Sequence, residues 1–426
     1  MKKQISIFLS GLLLLILCSC GEEDILGEVP RDYAIATAET SGESGQEETS
    51  EAAAPSSEAE EGNEGSGSEE GEESPFSFLM EEASVYAYNY LSEMERIWYR
   101  DMEEILGSFG TERKLSGACL ESGMGEGDID RIFQCVLNDH PELFYVEGYS
   151  YTKYTRGEKI TSIVFSGSYT MDYDTALVRK AEIEAAVEEI LGGIGGDASD
   201  YDKIKYVYET LIRNTDYRLG APDNQNIYSV FVNHASVCQG YAKATQYLLN
   251  KLGIECSLVL GTVDTGEGHA WNLVKADGEY YYVDTTWGDA SYQISGSTEG
   301  LAEYAMPEIN YDYLCVTTAE LLRTHTLGGQ VPMPQCAATE NNYYVREGAL
   351  FTEYDREQMG ELFQKSLEQG KKDVTIKCTD YVCYNNVVSA LINGQEIFDY
   401  LSGNEGSVAY TQNDNQLSLT FWVTNE

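Results

Sequence analysis

Val237-Cys238-Gln239-Gly240-Tyr241-Ala242-Lys243-Ala244 is the stretch on which the reading of this chain turns. Tyr241, Ala244, Leu248 and Leu252 recur at helical spacing on one face. Lys251 suits the negative end of a helix dipole, and Gly253 is a natural stop. The pattern predicts a helix that begins at Cys238. Unpaired backbone N–H groups at a helix N-terminus favour a thiolate over a thiol, and the same amides can hold an oxyanion.

Downstream, Cys256 to Gly261 predicts a strand, Asp264 to Gly268 a loop, and Gly268-His269-Ala270-Trp271-Asn272-Leu273-Val274 a second strand. Asp277-Gly278 is a strong signal for a two-residue hairpin, with Tyr280-Tyr281-Tyr282-Val283-Asp284-Thr285 returning. If residues 277 and 278 form the turn, Trp271 stands opposite Asp284 and Asn272 opposite Val283. Strand periodicity then puts His269, Trp271, Leu273, Tyr282 and Asp284 on one face. There His269 and Asp284 are diagonal neighbours, close enough to hydrogen-bond. A three-residue turn would reverse the parity. The spacing therefore predicts a base beside its orienting carboxylate. Their meeting with Cys238 depends on how the helix packs.

Cys-Gln-Gly-Tyr-Ala, Gly-His-Ala-Trp-Asn and Val-Asp-Thr-Thr-Trp-Gly-Asp follow one another in order between about 200 and 290. In these three motifs the chain resembles the transglutaminase-like superfamily, whose fold is related to papain-type cysteine proteases. The resemblance implies an α+β core in which a helix carrying the nucleophile packs on an antiparallel sheet. It implies Cys238 as nucleophile, His269 as base and Asp284 as the carboxylate that orients the base. The activity it implies is thiol-dependent acyl transfer on amide bonds of proteins or peptides, cell-wall peptide included. The outcome is hydrolysis or deamidation with water, and crosslinking with an amine. No cofactor or metal is called for. Tyr228 is a weak choice for assisting the oxyanion. His325, near a helix C-terminus, ranks below His269 as base, and His140 and His234 read as structural. Gly266 and Gly268 read as the bend before His269. A second reading is a catalytically silent transglutaminase-like module for binding or assembly on the cell surface. A third is a tethered solute-binding lipoprotein, but the sequence shows no pair of similar lobes.

The rest of the chain sets the context. Its 426 residues suit two or three domains, and 42% hydrophobic content allows most of it to fold. With 72 acidic against 27 basic side chains and a formal charge of −45, the surface repels phosphate backbones, so nucleic acid is not an expected partner. Tyrosine is abundant, at 32 residues, and suits half-buried sheets. Lys2 and Lys3 precede an apolar run, Ile5 to Leu17, that is too short for a membrane span. It ends in Leu17-Cys18-Ser19-Cys20-Gly21, which resembles a bacterial lipobox. That resemblance implies cleavage before Cys20, lipid on Cys20, and an extracytoplasmic protein anchored to the cell membrane.

The expected division is residues 1–20 as signal, 21–75 as a disordered acidic tether, 76–196 as an N-terminal α+β domain, 197–335 as the transglutaminase-like domain and 336–426 as a C-terminal α/β appendage. The tether rests on a Glu/Ser/Gly/Ala composition, with no Lys or Arg between Asp32 and Glu95. Within the folded region, helices are expected over 79–106, after an N-cap at Asp128, over 174–191, over 204–212 and over 356–367. Strands are expected over 149–154 and 159–165 about Arg156-Gly157, and over 313–316. A capping box of Thr317 and Glu320 opens a further helix. Of the ten cysteines, setting aside Cys18, Cys20 and Cys238 leaves seven, at 119, 135, 256, 315, 336, 378 and 383. An odd number cannot all pair within one chain. Cys256 reads as a buried thiol. No C-x-x-C spacing and no His-containing ligand cluster argues for a structural zinc site.

Overall fold

A computed structural model describes the backbone of residues 4–7, and residues 85–289, 307–329, 331–401, 408 and 410–422. The expectations placed on Cys18, Cys20, the segment 21–75 and the helix start at 79–84 lie outside these residues. The helix expected over 79–106 is divided. Tyr86–Asn89 makes one turn, and α1 (Glu93–Gly107) starts afresh at Ser92, whose side chain and that of Glu95 cap each other's backbone. The first turn is pinned by the buried Asp139 carboxylate, which accepts from Ala87 N and Tyr88 N at 2.9 Å each. Two well-satisfied caps in succession outweigh the continuous helical pattern.

α2 (Glu126–Asp139) begins two residues before Asp128, whose carboxylate reaches back to Gly125 N at 2.9 Å. Strands β2 (Val146–Arg156) and β3 (Lys159–Tyr169) extend beyond the expected spans on both sides of the 157–158 turn, where Gly157 has φ +65°. The backbone of Gln4–Ile7 lies antiparallel on β2 as strand β1, and Arg113–Lys114 lies on β3. α3 (Tyr173–Leu191), capped by Asp172, leads to α4 (Asp200–Asn214), capped by Ser199.

The central unit is α5 (Cys238–Lys251) packed on β4 (Cys256–Val263) and β5 (Gly268–Ala276). β6 (Glu279–Val283) returns beside β5, and β7 (His325–Leu327) closes the other edge, so the sheet order is β7-β4-β5-β6, all antiparallel. The Asp277-Gly278 turn has φ +52° and +87°, the left-handed pair that a two-residue hairpin needs. Asn272 pairs with Val283, as the spacing predicts. Residues 313–316 are not a strand. Tyr311–Tyr313 is a 3-10 turn, Cys315 adopts φ +56°, and only Val316 bridges to Tyr282. A left-handed residue cannot continue a pleat, so a single bridge is all that forms. The Thr317–Glu320 box caps a short helix, Thr318–Leu321.

The C-terminal part carries α6 (Arg356–Glu368), β8 (Asp373–Cys378), α7 (Tyr381–Val388), β9 (Tyr410–Asn413) and β10 (Ser418–Trp422). β10 lies between β8 and β9, and Leu350–Phe351 runs parallel to β8. Most buried apolar residues from Val85 to Cys336 form one cluster, those from Tyr344 to Phe421 a second, and Cys238, Ala242, Leu258 and Ala270 a small third. All eight described cysteines are buried thiols without a disulfide. Among the described residues no helix is long and apolar enough to cross a membrane.

Candidate active site

Cys238 opens α5 directly after Val237, an N-cap in extended conformation, and is 3% exposed. It packs in one small apolar cluster with Ala242, Leu258 and Ala270, the residue next to His269. Several motif residues brace this helix against the hairpin. Asn272 Nδ2 donates to Ala242 O at 2.9 Å and to Ser257 O at 3.4 Å, stitching α5 to β4 across β5. Tyr241 OH donates to Asp289 Oδ2 at 3.1 Å and to Thr215 O, and Thr245 and Thr285 share a hydroxyl bond of 2.8 Å. Gly240 has no room for a Cβ, which would collide with Ser236 Oγ. Gly288 is equally confined by the Tyr208 hydroxyl. These contacts give a packing reason for the letters around the three motifs.

His269 and Asp284 meet as the register predicts. His269 Nε2 lies 2.7 Å from Asp284 Oδ2, with both side chains buried. Asp284 sits one residue past the last β5–β6 pair and caps the short helix Thr285–Gly288, Oδ1 accepting from Trp287 N at 3.1 Å. The loop before His269 bends at Gly266, with φ +85°. Trp271 stacks on the His269 ring at 5.9 Å, and Trp287 lies 5.9 Å from it at a tilt. Trp271 is fully buried, so one face of the imidazole is shielded from water.

Sequence reasoning ranked His325 below His269 as base and did not place it at this centre. Its ring enters the same centre from β7, with Nε2 3.0 Å from the same Asp284 oxygen. Nothing in local spacing places it there, because β7 joins the sheet across 41 residues from Asp284. One nitrogen of each ring and an Asp284 oxygen lie within 4.8 Å of one another, so the fold does assemble a His-containing group that could hold a metal ion. Both ring nitrogens that face Asp284 lie within hydrogen-bond distance of the same oxygen, so with a proton on each they donate to the carboxylate. Tyr228 is occupied elsewhere: its hydroxyl donates to Glu182 Oε2 at 2.7 Å and its ring lies under Arg179. His140 Nδ1 is 3.0 Å from Glu142, and His234 Nδ1 is 3.1 Å from Asn214 O.

The electrostatics follow from burial and pairing. Burial alone would raise the Asp284 carboxyl, but the charge and hydrogen bond of His269, and then those of His325, outweigh it and hold the group below the ordinary 3.8. Burial takes the His325 imidazole below the ordinary 6.5, against the pull of Asp284. Both groups therefore bind fewer protons folded than unfolded. Their contribution to stability is complete above 6.5 and is lost as pH falls, through His325 first and then through Asp284 below 3.8. His140, whose value is raised chiefly by Glu142 against the effect of burial, changes stability in the opposite sense. The His325 share is thus read as a difference: on acidification from about pH 8 to about pH 4, urea unfolding of wild type should lose more stability than that of His325→Gln. Parallel curves would show that His325 does not titrate differently in the folded state.

Residues 187–285 match the Transglutaminase-like superfamily. No curated protein shows a significant match to the sequence. Among solved structures, the chain is similar to a TGase, with 14% identity, a TM-score of 0.25, and coverage of 38% of this chain and 48% of that one. It is also similar to the periplasmic domain of TgpA from Pseudomonas aeruginosa bound to ethylmercury, with 16% identity, a TM-score of 0.19, and coverage of 32% and 59%. A third likeness is to menin, whose structure reveals the binding site for Mixed Lineage Leukemia protein, with 14% identity, a TM-score of 0.23, and coverage of 55% and 49%. The chain thus spans between 48% and 59% of the length of these structures, and likenesses at such scores say nothing of activity. The family match, which ends one residue beyond Asp284 and takes in Cys238 and His269, places the core of this chain in the transglutaminase-like superfamily.

Proposed function

We propose that this protein is a thiol-dependent acyl-transfer enzyme acting on amide bonds of proteins or peptides, with Cys238 as nucleophile, His269 as base and Asp284 as the group that orients the base. The observation that carries the reading is the buried 2.7 Å bond between His269 Nε2 and Asp284 Oδ2, on a ring shielded by Trp271, within the residues that match the transglutaminase-like superfamily. With Nε2 spent on the carboxylate, exchange of a proton with a thiol falls to Nδ1 at the other end of the ring. The thiolate attacks the amide carbonyl, and backbone N–H groups in the first turn of α5 steady the oxyanion. The C–N bond breaks as His269 protonates the departing amine, leaving a thioester on Cys238. Water then gives an acid, or an amine gives a new amide, and the thiol is restored. The site of action we infer is extracytoplasmic, on a chain held to the membrane by lipid at Cys20, from the run Leu17-Cys18-Ser19-Cys20 that follows an apolar start. Cell-wall peptide is the substrate within reach of such an anchor.

Iodoacetamide labelling of the Cys238 peptide, followed by mass spectrometry across pH, tests the reading. Strong labelling near neutrality in wild type, lost in His269→Ala, is the expected result, because an imidazole partner keeps the sulfur ionised there. Equally sluggish labelling of both proteins, confined to alkaline pH, would favour the silent binding module instead.

A further inference from the structure

We propose that His325 is a positioning residue of this site, and that the C-terminal part of the chain holds it there through Gln416. The proposal rests on reading Asp284 as the carboxylate that orients His269. Asp284 Oδ2 takes two imidazole N–H groups, His269 at 2.7 Å and His325 at 3.0 Å, while Oδ1 takes Trp287 N–H at 3.1 Å. A carboxylate that carries a charge in a dry interior needs its lone pairs filled, and each donor also limits how the group can rotate. Without His325, Asp284 would keep one side-chain donor and could swing with the His269 ring it is meant to hold.

Both nitrogens of His325 are committed. Nδ1 lies 2.9 Å from Thr324 Oγ1, and Nε2 faces Asp284, an ionised carboxylate that can only accept, so Nε2 carries a proton. Trp271 and Trp287 pack against the ring at 4.9 and 4.8 Å and hold its plane. An imidazole that merely filled space would not need this arrangement. The chain of contacts continues outward. Gln416 Nε2 donates to Tyr313 OH at 3.3 Å and to Thr324 Oγ1 at 3.5 Å, and Gln416 Oε1 accepts from Lys377 Nζ at 3.4 Å. Gln416 and Lys377 are fully buried, and they belong to the turn before β10 and to β8. A line of buried polar groups therefore runs from the C-terminal sheet to the Asp284 carboxylate.

The test is the pH profile of Cys238 alkylation in the full chain, for wild type, His269→Ala, His325→Leu, His325→Gln and Gln416→Leu. If wild type lacks reactivity near neutrality, or His269→Ala leaves it unchanged, the catalytic reading falls and this proposal with it. Where wild type reacts and His269→Ala does not, His325→Leu should lower the neutral-pH rate about tenfold, the scale of one hydrogen bond to a charged group, and keep the alkaline rate. His325→Gln, which can still present an N–H to Asp284, should recover most of that loss. Gln416→Leu should shift the profile in the same direction by less. A His325→Leu profile that overlays wild type overturns the proposal. So does a loss that His325→Gln fails to recover, since that marks a packing role alone. An unchanged Gln416→Leu profile overturns the part assigned to the C-terminal sheet.

Discussion

In Asp284→Asn, formation of the acyl-enzyme should fall by on the order of 10³ to 10⁴, the scale of loss when a triad carboxylate becomes an amide. The new amide can keep its oxygen toward Trp287 N–H, which lies 3.1 Å from Oδ1 in the wild type. Its NH₂ then faces two imidazole nitrogens that now donate, at 2.7 and 3.0 Å. Donor against donor must resolve by a change of tautomer or by a ring turning away. His325 can change tautomer in place, because the Thr324 hydroxyl 2.9 Å from its Nδ1 accepts as readily as it donates. For His269 the same change puts the proton on the nitrogen that should receive one from the thiol. The size of the p-nitrophenol burst with p-nitrophenyl acetate, and its rate, report this directly. A decrease of less than about tenfold would remove Asp284 from the mechanism.

Lys377→Met should lower the stability of the chain by about 3–5 kcal/mol, the range for stripping one partner from a buried ion pair. Lys377 is fully buried, 3.6 Å from Asp312 and 3.7 Å from Glu320, with its ammonium also on Asp312 O at 3.3 Å. Asp312 would remain buried, keeping neutral donors only: Ser418 Oγ at 2.7 Å, Asn413 Nδ2 at 3.0 Å and Tyr344 OH at 3.0 Å. The triple variant Lys377→Met, Asp312→Asn, Glu320→Gln should recover a large part of the loss, since removing a whole buried charge set costs less than orphaning one member. Urea unfolding of the three proteins decides the matter. A single variant within about 1 kcal/mol of wild type would mean that water reaches these charges. Because Lys377 also bonds Gln416, the variant probes the same line of contacts that leads to His325.

The helix that begins at Cys238 and the hairpin that sets His269 against Asp284 were both legible in the letters. Each depends on contacts within a few residues: a face of Tyr241, Ala244 and Leu248, a stop at Gly253, and the φ-positive turn at Asp277-Gly278. Local geometry of that kind is written in periodicity and turn chemistry. Errors arose where a local pattern competed with distant partners. The helix expected over 79–106 breaks at Ser92 because Asp139, far along the chain, captures the turn before it. The strand expected over 313–316 yields to a 3-10 turn and a left-handed Cys315.

By itself the sequence determined the order of the three motifs, a helix that starts at Cys238, and the pairing parity that puts imidazole and carboxylate on one face. Only the tertiary structure decided that His325 shares that carboxylate, that Tyr241 and Thr245 brace the helix against the segment after Asp284, and that Lys377 and Gln416 connect the C-terminal sheet to Thr324. The physical reason is range. Hydrogen-bond registers repeat every two residues and helical faces every three or four, so their consequences can be counted along the chain, whereas a contact between residues 284 and 325 or 324 and 416 exists only once separate layers have packed.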